Sequence, residues 1–274
     1  MNSQIVRAIM IGDVVGDPGL EVLESLLPQL IKENSADFVM VNGENAASGF
    51  GLTETILDRI FAAGADVVSG GNHIWEKRDF WPTLDSEKRV LRPMNYSDGR
   101  QGQKTVGKGW LKLEKPSPWG PIQWVAVNLQ GREFMSLLDC PFKTFDAFEA
   151  LCFDAQVEKK PIILLDFHAE SSREKEALAY YLDGRISVLA GTHTHVQTAD
   201  ERILPKGSAY ITDLGMTGNQ DGVIGMDTKI CIDRARSQVL YRMEVAPPGI
   251  NTAVQGILTE IDVESRKAIS IRRL

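Results

Sequence analysis

All four histidines of this chain fall within three short motifs, Gly70-Gly71-Asn72-His73, Asp166-Phe167-His168-Ala169-Glu170 and Gly191-Thr192-His193-Thr194-His195. Imidazole is the commonest metal ligand and the usual acid or base near neutral pH, so a chain that places every imidazole this way is expected to use them at one site. Further candidate ligands follow apolar runs. Asp13 comes after the run from Ile5 to Gly12, Glu44 and Asn45 after Phe38 to Gly43, and Asn72 and His73 after Val67 to Gly71; His168 closes the run from Ile162 to Phe167, and His193 and His195 follow Val188 to Thr192. Ligands of α/β sheets bind beyond the carboxyl ends of the strands, so these five segments can converge on one crevice.

The donors are nitrogen and oxygen without thiolate, and they are too many for one structural zinc. Such a set suits a pair of transition metals, iron or manganese before zinc. Two metals about 3.5–4 Å apart stabilise both the attacking and the leaving oxygen of an in-line displacement, the requirement of phosphoester hydrolysis. Glu44 is the candidate bridging carboxylate. Gly12, Gly43, Gly70, Gly71 and Gly191 are expected to allow tight turns beside the ligands. In an extended segment residues i and i+2 share a face, which would aim His193 and His195 into one crevice. Glu44 and Asn45 are adjacent, so their loop must bend to bring both inward.

Elements that could hold these residues are legible as short buried runs, Ile5 to Ile11, Phe38 to Val41, Val67 to Ser69, Ile122 to Val127, Ile162 to Leu165 and Val188 to Ala190, separated by helical patterns. The first helix is expected from Pro18 to Glu33, with Leu20, Leu23, Leu27, Leu30 and Ile31 on one stripe. Thr53 can cap the next, Glu54 to Ala63, and Ser171 with Glu174 matches a capping box before a helix over Glu176 to Leu182. Gln103 to Val127 reads as an antiparallel hairpin region, and the tail from Val239 to Ile271 as further antiparallel strands. The expected architecture is α/β, two packed mixed sheets flanked by helices in a four-layer α/β/β/α sandwich, as one domain over residues 1–274.

Composition narrows the partners. A net charge of −7 disfavours a broad grip on duplex DNA or an anionic membrane. The amino-terminal run from Met1 to Gly12 lacks the parts of a leader, and no stretch approaches the roughly 18 apolar residues of a membrane span, so a cytoplasmic protein is expected. Three cysteines without Cys-x-x-Cys spacing argue against a disulfide framework, and Cys140, Cys152 and Cys231 read as small buried hydrophobes. A homo-oligomer is compatible with this reading.

The ordered series Gly-Asp-Val-Val-Gly (12–16), Asn-Gly-Glu-Asn (42–45), Gly-Asn-His (71–73), Asp-Phe-His-Ala-Glu (166–170) and Gly-Thr-His-Thr-His-Val-Gln-Thr-Ala-Asp (191–200) resembles the calcineurin-like metallophosphoesterases, specifically the YmdB-type branch. The likeness continues through Asn-Leu-Gln-Gly-Arg (128–132), Leu-Asp-Cys-Pro-Phe (138–142), Tyr-Leu-Asp-Gly-Arg (181–185) and Ile-Thr-Asp-Leu-Gly-Met-Thr-Gly (211–218), and so covers nearly the whole chain. The general superfamily pattern begins Asp-x-His, whereas Asp13 is followed by Val14 and Val15. The branch resembled here uses an Asn next to the bridging Glu, the place of Asn45.

This resemblance implies one metal on Asp13, Glu44, Asn45 and His195, and another on Glu44, Asn72, His168 and His193. It also implies His73 as proton donor to the leaving oxygen opposite a metal-held hydroxide, in a phosphodiesterase that opens 2′,3′-cyclic nucleotides at the 2′ oxygen. The nearest alternative is a nucleotide phosphomonoesterase; a different class is a metal-binding regulatory protein with incidental hydrolase activity. Arg132 is a candidate to hold a phosphate oxygen, with a surface salt bridge as its other reading. Asp166, Glu170 and Asp213 could orient ligating imidazoles or serve only as caps and solvated groups. Trp75, Phe80 and Trp81 read as helix packing, with base stacking as the less favoured alternative.

Overall fold

Successive residues of a strand face opposite sides of a sheet, so a strand buried on both faces must be apolar at nearly every position. That pattern recurs throughout the computed structural model, which describes residues 4–99, 102–152 and 161–274. The chain opens with β1 (Ile5–Ile11) and the short β2 (Asp13–Val14), followed by α1 (Gly16–Asn34), β3 (Phe38–Asn42), α2 (Glu54–Ala62) and β4 (Val67–Ser69). After a 3₁₀ turn come α3 (Trp81–Ser86), β5 (Trp110–Lys115), β6 (Ile122–Gln130), α4 (Pro141–Cys152), β7 (Ile162–His168), α5 (Ser172–Leu182) and β8 (Val188–Thr192). The remainder is β9 (Arg202–Ile203), β10 (Ala209–Ile211), β11 (Met216–Asn219), α6 (Thr228–Ser237), β12 (Thr252–Ala253), β13 (Gly256–Asp262) and β14 (Ala268–Arg273).

These strands make two large mixed sheets, ordered β14-β13-β1-β3-β4 and β5-β6-β7-β8-β10-β9, and a small one, β12-β11-β2. In the first sheet β1, β3 and β4 are parallel and β13 and β14 antiparallel. In the second, β6, β7, β8 and β10 are parallel, with antiparallel β5 and β9 at the edges. The sheets face each other across a core of Val6, Ala8, Met10, Phe38, Met40 and Val67 against Trp124, Ala126, Ile162, Leu164, Val188 and Ala190. Phe38 and Trp124 stack within it, their centroids 4.8 Å apart. Opposite-parity residues form the outer cores: Ile9, Ile11, Val39, Val41 and Val68 pack under α1 and α2, and Val125, Val127, Ile163, Leu165 and Leu189 under α4 and α5. The layers are therefore α/β/β/α, as expected.

Several boundaries differ from the sequence expectation for a common reason. β3, β6, β7 and β8 run on to Asn42, Gln130, His168 and Thr192, past the end of each apolar run, because the polar residues at their ends are buried too. Helix α1 starts two residues early, at Gly16. Thr53 caps α2 as expected, accepting from the Ile56 amide at 3.4 Å. Ser171 caps α5 by accepting from the Glu174 amide at 3.3 Å, but the capping box is not closed as predicted. Helix α5 begins at Ser172, and the Glu174 carboxylate turns away to accept from the Arg132 and Glu133 amides at 2.9 and 3.0 Å. The tail becomes regular only at β12, and the three cysteines are free and half-buried rather than buried. Among the described residues no helix is long and apolar enough to cross a membrane.

Candidate metal centre

The interior face of the sandwich changes character along its strands. Following the inward parity, Phe38 and Met40 lead to Asn42, Val67 to Ser69, Trp124 and Ala126 to Asn128 and Gln130, Ile162 and Leu164 to Asp166 and His168, and Val188 and Ala190 to Thr192. At the carboxyl ends of the parallel strands the core thus becomes a buried polar floor. Asp166 is its hub, accepting from Asn42 Nδ2 at 3.0 Å, Ser69 Oγ at 2.5 Å and Thr192 Oγ1 at 2.7 Å. Burial still pushes this carboxyl up to about 6 against the pull of His168 and the hydroxyl donors. Asn42 and Ser69 come from the first sheet and Asp166 and Thr192 from the second, so the floor joins the two across the core.

Above the floor lie the predicted ligands. Asp13 heads β2, which pairs with β11 through Met216. His168 is the last residue of β7, and Glu44, Asn45, Asn72, His193 and His195 sit in the loops that follow β3, β4 and β8. His168 Nε2 lies 2.9 Å from Glu44 Oε1, 3.0 Å from Asn72 Oδ1 and 3.1 Å from His193 Nδ1. A second group is built on the same glutamate: Asn45 Nδ2 is 3.3 Å from Glu44 Oε1 and 3.1 Å from His195 Nε2, which is 3.8 Å from Asp13 Oδ1. All seven residues expected as ligands are therefore together, in two lobes that share Glu44.

The outward nitrogen of each imidazole has its own acceptor, which decides which nitrogen faces the site. His168 Nδ1 donates to Thr192 Oγ1 at 2.9 Å, since that hydroxyl spends its own proton on Asp166. His195 Nδ1 donates to the Ile224 carbonyl at 2.9 Å, and His193 Nε2 faces Glu170 Oε2 at 3.3 Å. Asp166 and Glu170 thus orient imidazoles, the first through Thr192. Asp213 acts differently: it accepts from the Thr194 amide and hydroxyl at 3.1 and 2.8 Å and from buried Lys175 at 2.8 Å, and so holds the peptide between the two histidines.

Electrostatics match a cation-binding donor set. Burial would raise the Glu44 carboxyl, but the charge and hydrogen bond of His168 hold it at about 2. Burial would lower His168, yet Glu44, Asp13 and Asp166 lift it to about 9, while burial and the neighbouring His168 charge keep His193 down at about 3. One proton on His168 Nε2 satisfies one of three crowded acceptors, whereas a cation satisfies all of them. Asp13 Oδ1 is buried without a hydrogen-bond partner, while its Oδ2 accepts from the His193 amide at 3.2 Å. A buried carboxylate oxygen left in this way is costly unless a positive charge meets it. Glu44, His168 and His193 alone bring three ligand atoms within 4.8 Å of one another.

Two backbone expectations are corrected. His193 and His195 do converge, but with φ of 100° and 62° rather than through an extended segment. The glycines beside the ligands are needed for space rather than for turns. A Cβ on Gly71 would lie 2.3 Å from Glu44 Oε2 and 2.4 Å from His168 Nε2, and one on Gly191 would lie 1.8 Å from the Thr212 carbonyl oxygen.

His73 stands at the rim, partly exposed. Its amide donates to Glu44 Oε2 at 3.0 Å, its Nδ1 is 3.4 Å from Glu76 Oε1, and its ring meets Phe50 edge-on at 4.9 Å. Arg132 lines a separate groove of about 540 Å³ with Glu133, Leu138, Phe142 and Arg173. Of the aromatic group after His73, Phe80 is buried and Trp75 rests on Tyr96 with ring centroids 4.5 Å apart, whereas Trp81 is exposed and its Nε1 donates to the Trp75 carbonyl at 2.9 Å. Sequence reasoning missed Thr192, Ser69, Lys175, Phe50 and Ile224. Of these only Thr192 carried a signal, its place in the Gly-Thr-His-Thr-His motif directly before His193.

Comparison with known proteins gives consistent results. The family model described as YmdB-like protein matches residues 9–274. The chain is 42% identical over 269 residues to a 2′,3′-cyclic-nucleotide 2′-phosphodiesterase of Bacillus subtilis, covering 98% of this chain and 96% of that one. Among solved structures it is similar to a hypothetical protein of Thermus thermophilus, with a TM-score of 0.84, 37% identity and 98% of each chain covered. It is also similar to a novel phosphatase of Mycoplasma pneumoniae, with a TM-score of 0.87, 29% identity and coverage of 99% of this chain and 93% of the other.

Proposed function

The chain belongs to the YmdB-like family, and from that premise we propose that it is a metal-dependent phosphodiesterase with a two-cation centre that opens 2′,3′-cyclic nucleotides at the 2′ oxygen. The observation that carries this reading is the pair of lobes on Glu44, in which imidazole lone pairs, amide groups and carboxylate oxygens face one another at 2.9–3.8 Å. In it Asp13, Glu44, Asn45 and His195 hold one cation and Glu44, Asn72, His168 and His193 the other. The two ends of the Asn45 amide are isosteric, so its oxygen can take the place of Nδ2 beside His195. A donor set of nitrogen and oxygen without thiolate favours iron or manganese over zinc.

Such cations, when bound, supply charge for the phosphoryl oxygens and acidify coordinated water. The chain's own residues do the rest. His73 protonates the departing 2′ oxygen; Glu76 beside its Nδ1 leaves Nε2 as the nitrogen for that proton. Thr192, Glu170 and the Ile224 carbonyl fix the orientation of the ligating rings, and Phe50 steadies His73. Arg132, in the loop after β6, serves as a phosphate contact. Residues 1–274 act as one metallophosphoesterase domain, a reading supported by the floor that both sheets build. The three free cysteines support a cytoplasmic protein, one that acts on a small nucleotide substrate.

The test is metal analysis of freshly purified protein followed by assays of 2′,3′-cyclic AMP and 3′-AMP. Two equivalents of metal and preferential opening of the cyclic diester are expected. Preferential release of inorganic phosphate from 3′-AMP would replace this reading with a monoesterase.

A further inference from the structure

The segment from Val90 to Asn95 crosses from one sheet to the other. The Leu91 amide donates to the Val68 carbonyl of the first and the Met94 amide to the Asn128 carbonyl of the second, both at 2.8 Å. The chain returns beside this crossing on its way into β5, the Arg92 amide donating to the Lys108 carbonyl at 2.8 Å. Only glycine fits at position 109, where a Cβ would lie 2.4 Å from that of Met94. These segments border a groove of about 910 Å³.

Its charge is opposite to that of the molecule. In a chain of net charge −7, the groove is lined by five cationic residues, Lys88, Arg92, Lys104, Lys108 and Lys112, against two acidic ones, Asp85 and Asp98. Both acids are spent on the backbone: Asp85 accepts from the Gly107 amide at 3.3 Å and Asp98 from the Thr105 amide at 3.0 Å. None of the five cations forms an ion pair with a carboxylate among the described residues, whereas Arg59, Lys115 and Arg185 elsewhere each do. Arg92 is held in place by Nη1, which donates to the Pro93 and Met94 carbonyls at 2.8 and 2.9 Å, while its Nε is buried without an acceptor. Burial works against its charge, with only Asp98 in its favour. Such a donor is costly to leave unmet.

Solvated lysines alone make an ordinary surface. Here they share the groove with a fixed, half-buried guanidinium and an exposed Trp110. That is the composition of a single-strand site, in which cations follow the phosphates and an aromatic face stacks a base. The groove also adjoins the loop of the proposed acid, since Trp75, two residues after His73, donates through Nε1 to the Val106 carbonyl at 3.1 Å, between the lining residues Thr105 and Gly107.

We infer that this groove binds single-stranded RNA, its cations contacting the phosphates and Trp110 a base. The choice of RNA over DNA rests on the phosphodiesterase reading above, because a 2′,3′-cyclic phosphate forms only where a 2′ hydroxyl is present.

Binding of a short labelled oligoadenylate ending in a 3′ hydroxyl, which offers the metal centre no cyclic phosphate, is measured by fluorescence anisotropy as a function of salt. A variant combining Lys88→Ala, Lys108→Ala and Lys112→Ala, all exposed positions, is expected to bind about ten-fold more weakly at low salt. Its slope of log K on log salt should shrink by about 2, the counterions of three phosphate contacts. Trp110→Leu is expected to bind about ten-fold more weakly with an unchanged slope, as for loss of one stacked base. Both variants should open 2′,3′-cyclic AMP as the unaltered protein does. No binding, unaltered binding in the lysine variant, or equal competition by a polyglutamate of the same charge would each overturn the inference. If the protein binds the oligoadenylate but opens no cyclic nucleotide, the groove stands as a single-strand site and it is the phosphodiesterase reading that fails.

Discussion

His193 and His195 occupy left-handed backbone conformations that cost about 1–3 kcal/mol each for residues with a Cβ. Carboxylates along this short segment make the cost tolerable: Asp13 accepts from the His193 amide and Asp213 from the Thr194 amide. None of this was legible in the sequence, because the extended reading of His-x-His predicts the same convergence for the wrong reason. The positions of the proposed ligands were legible, since each is a polar residue at or shortly beyond the end of an apolar run. His73 differs from the other three imidazoles in presenting its backbone amide rather than its ring to the donor cluster. In His73→Ala that amide is kept and the proton donor is lost. A fall in kcat of about 10²–10⁴ with retained metal is expected, the usual range for general acid catalysis. Steady-state kinetics beside metal analysis checks it, and loss of metal along with the ring would refute the division of roles.

At the scale of elements, helix α5 does more than cover the second sheet. Its Glu174 gathers the amides that follow β6, and its Lys175, fully buried, reaches Asp213 at 2.8 Å beneath the histidine loop. The sequence announces α5 through its capping serine, but nothing in it marks Lys175. Only the packing of α5 against the β8 loop buries it. Lys175→Met keeps the length of the side chain but leaves Asp213 without its cation. Breaking a buried pair in this way costs about 3–5 kcal/mol, which urea denaturation would register as a lower midpoint. Metal affinity should fall with it, because the Thr194 peptide loses its anchor. A stability change within about 0.5 kcal/mol, the ordinary range of surface substitutions, would show the pair to be incidental. Strand lengths were under-read for a related reason: apolar runs end where the polar floor begins, but the hydrogen-bonded ladders continue through it.

Across the whole molecule, the proposed ligands divide between the sheets, with Glu44, Asn45 and Asn72 in loops of the first, His168, His193 and His195 from the second, and Asp13 on β2 of the small one. Cations that bind only the assembled centre stabilise it by mass action, about 4 kcal/mol at a thousand-fold excess over Kd. Removing them with a chelator should lower Tm by roughly 10 °C for a chain of this size, and adding metal back should restore it. Calorimetry with and without chelator checks this, and an unchanged Tm would mean that the donor cluster is stable without its ions. The layered fold was legible because strand and helix periods alternate along the sequence, whereas the strand order was not, since pairing partners far apart in sequence leave no local trace.

The position of β1 between β3 and β13 has a consequence for how the chain is made. β1 leaves the ribosome first, while β13, which pairs with it along its full length from Ile5↔Asp262 to Ile11↔Gly256, is translated near the carboxyl end. Until then the nascent first sheet carries a long apolar edge open to mispairing with other chains. The first sheet is thus completed only after the strands of the second have been translated, because β1 waits for β13. Assembly of the proposed metal centre must wait as well, for His195 emerges long after Asp13.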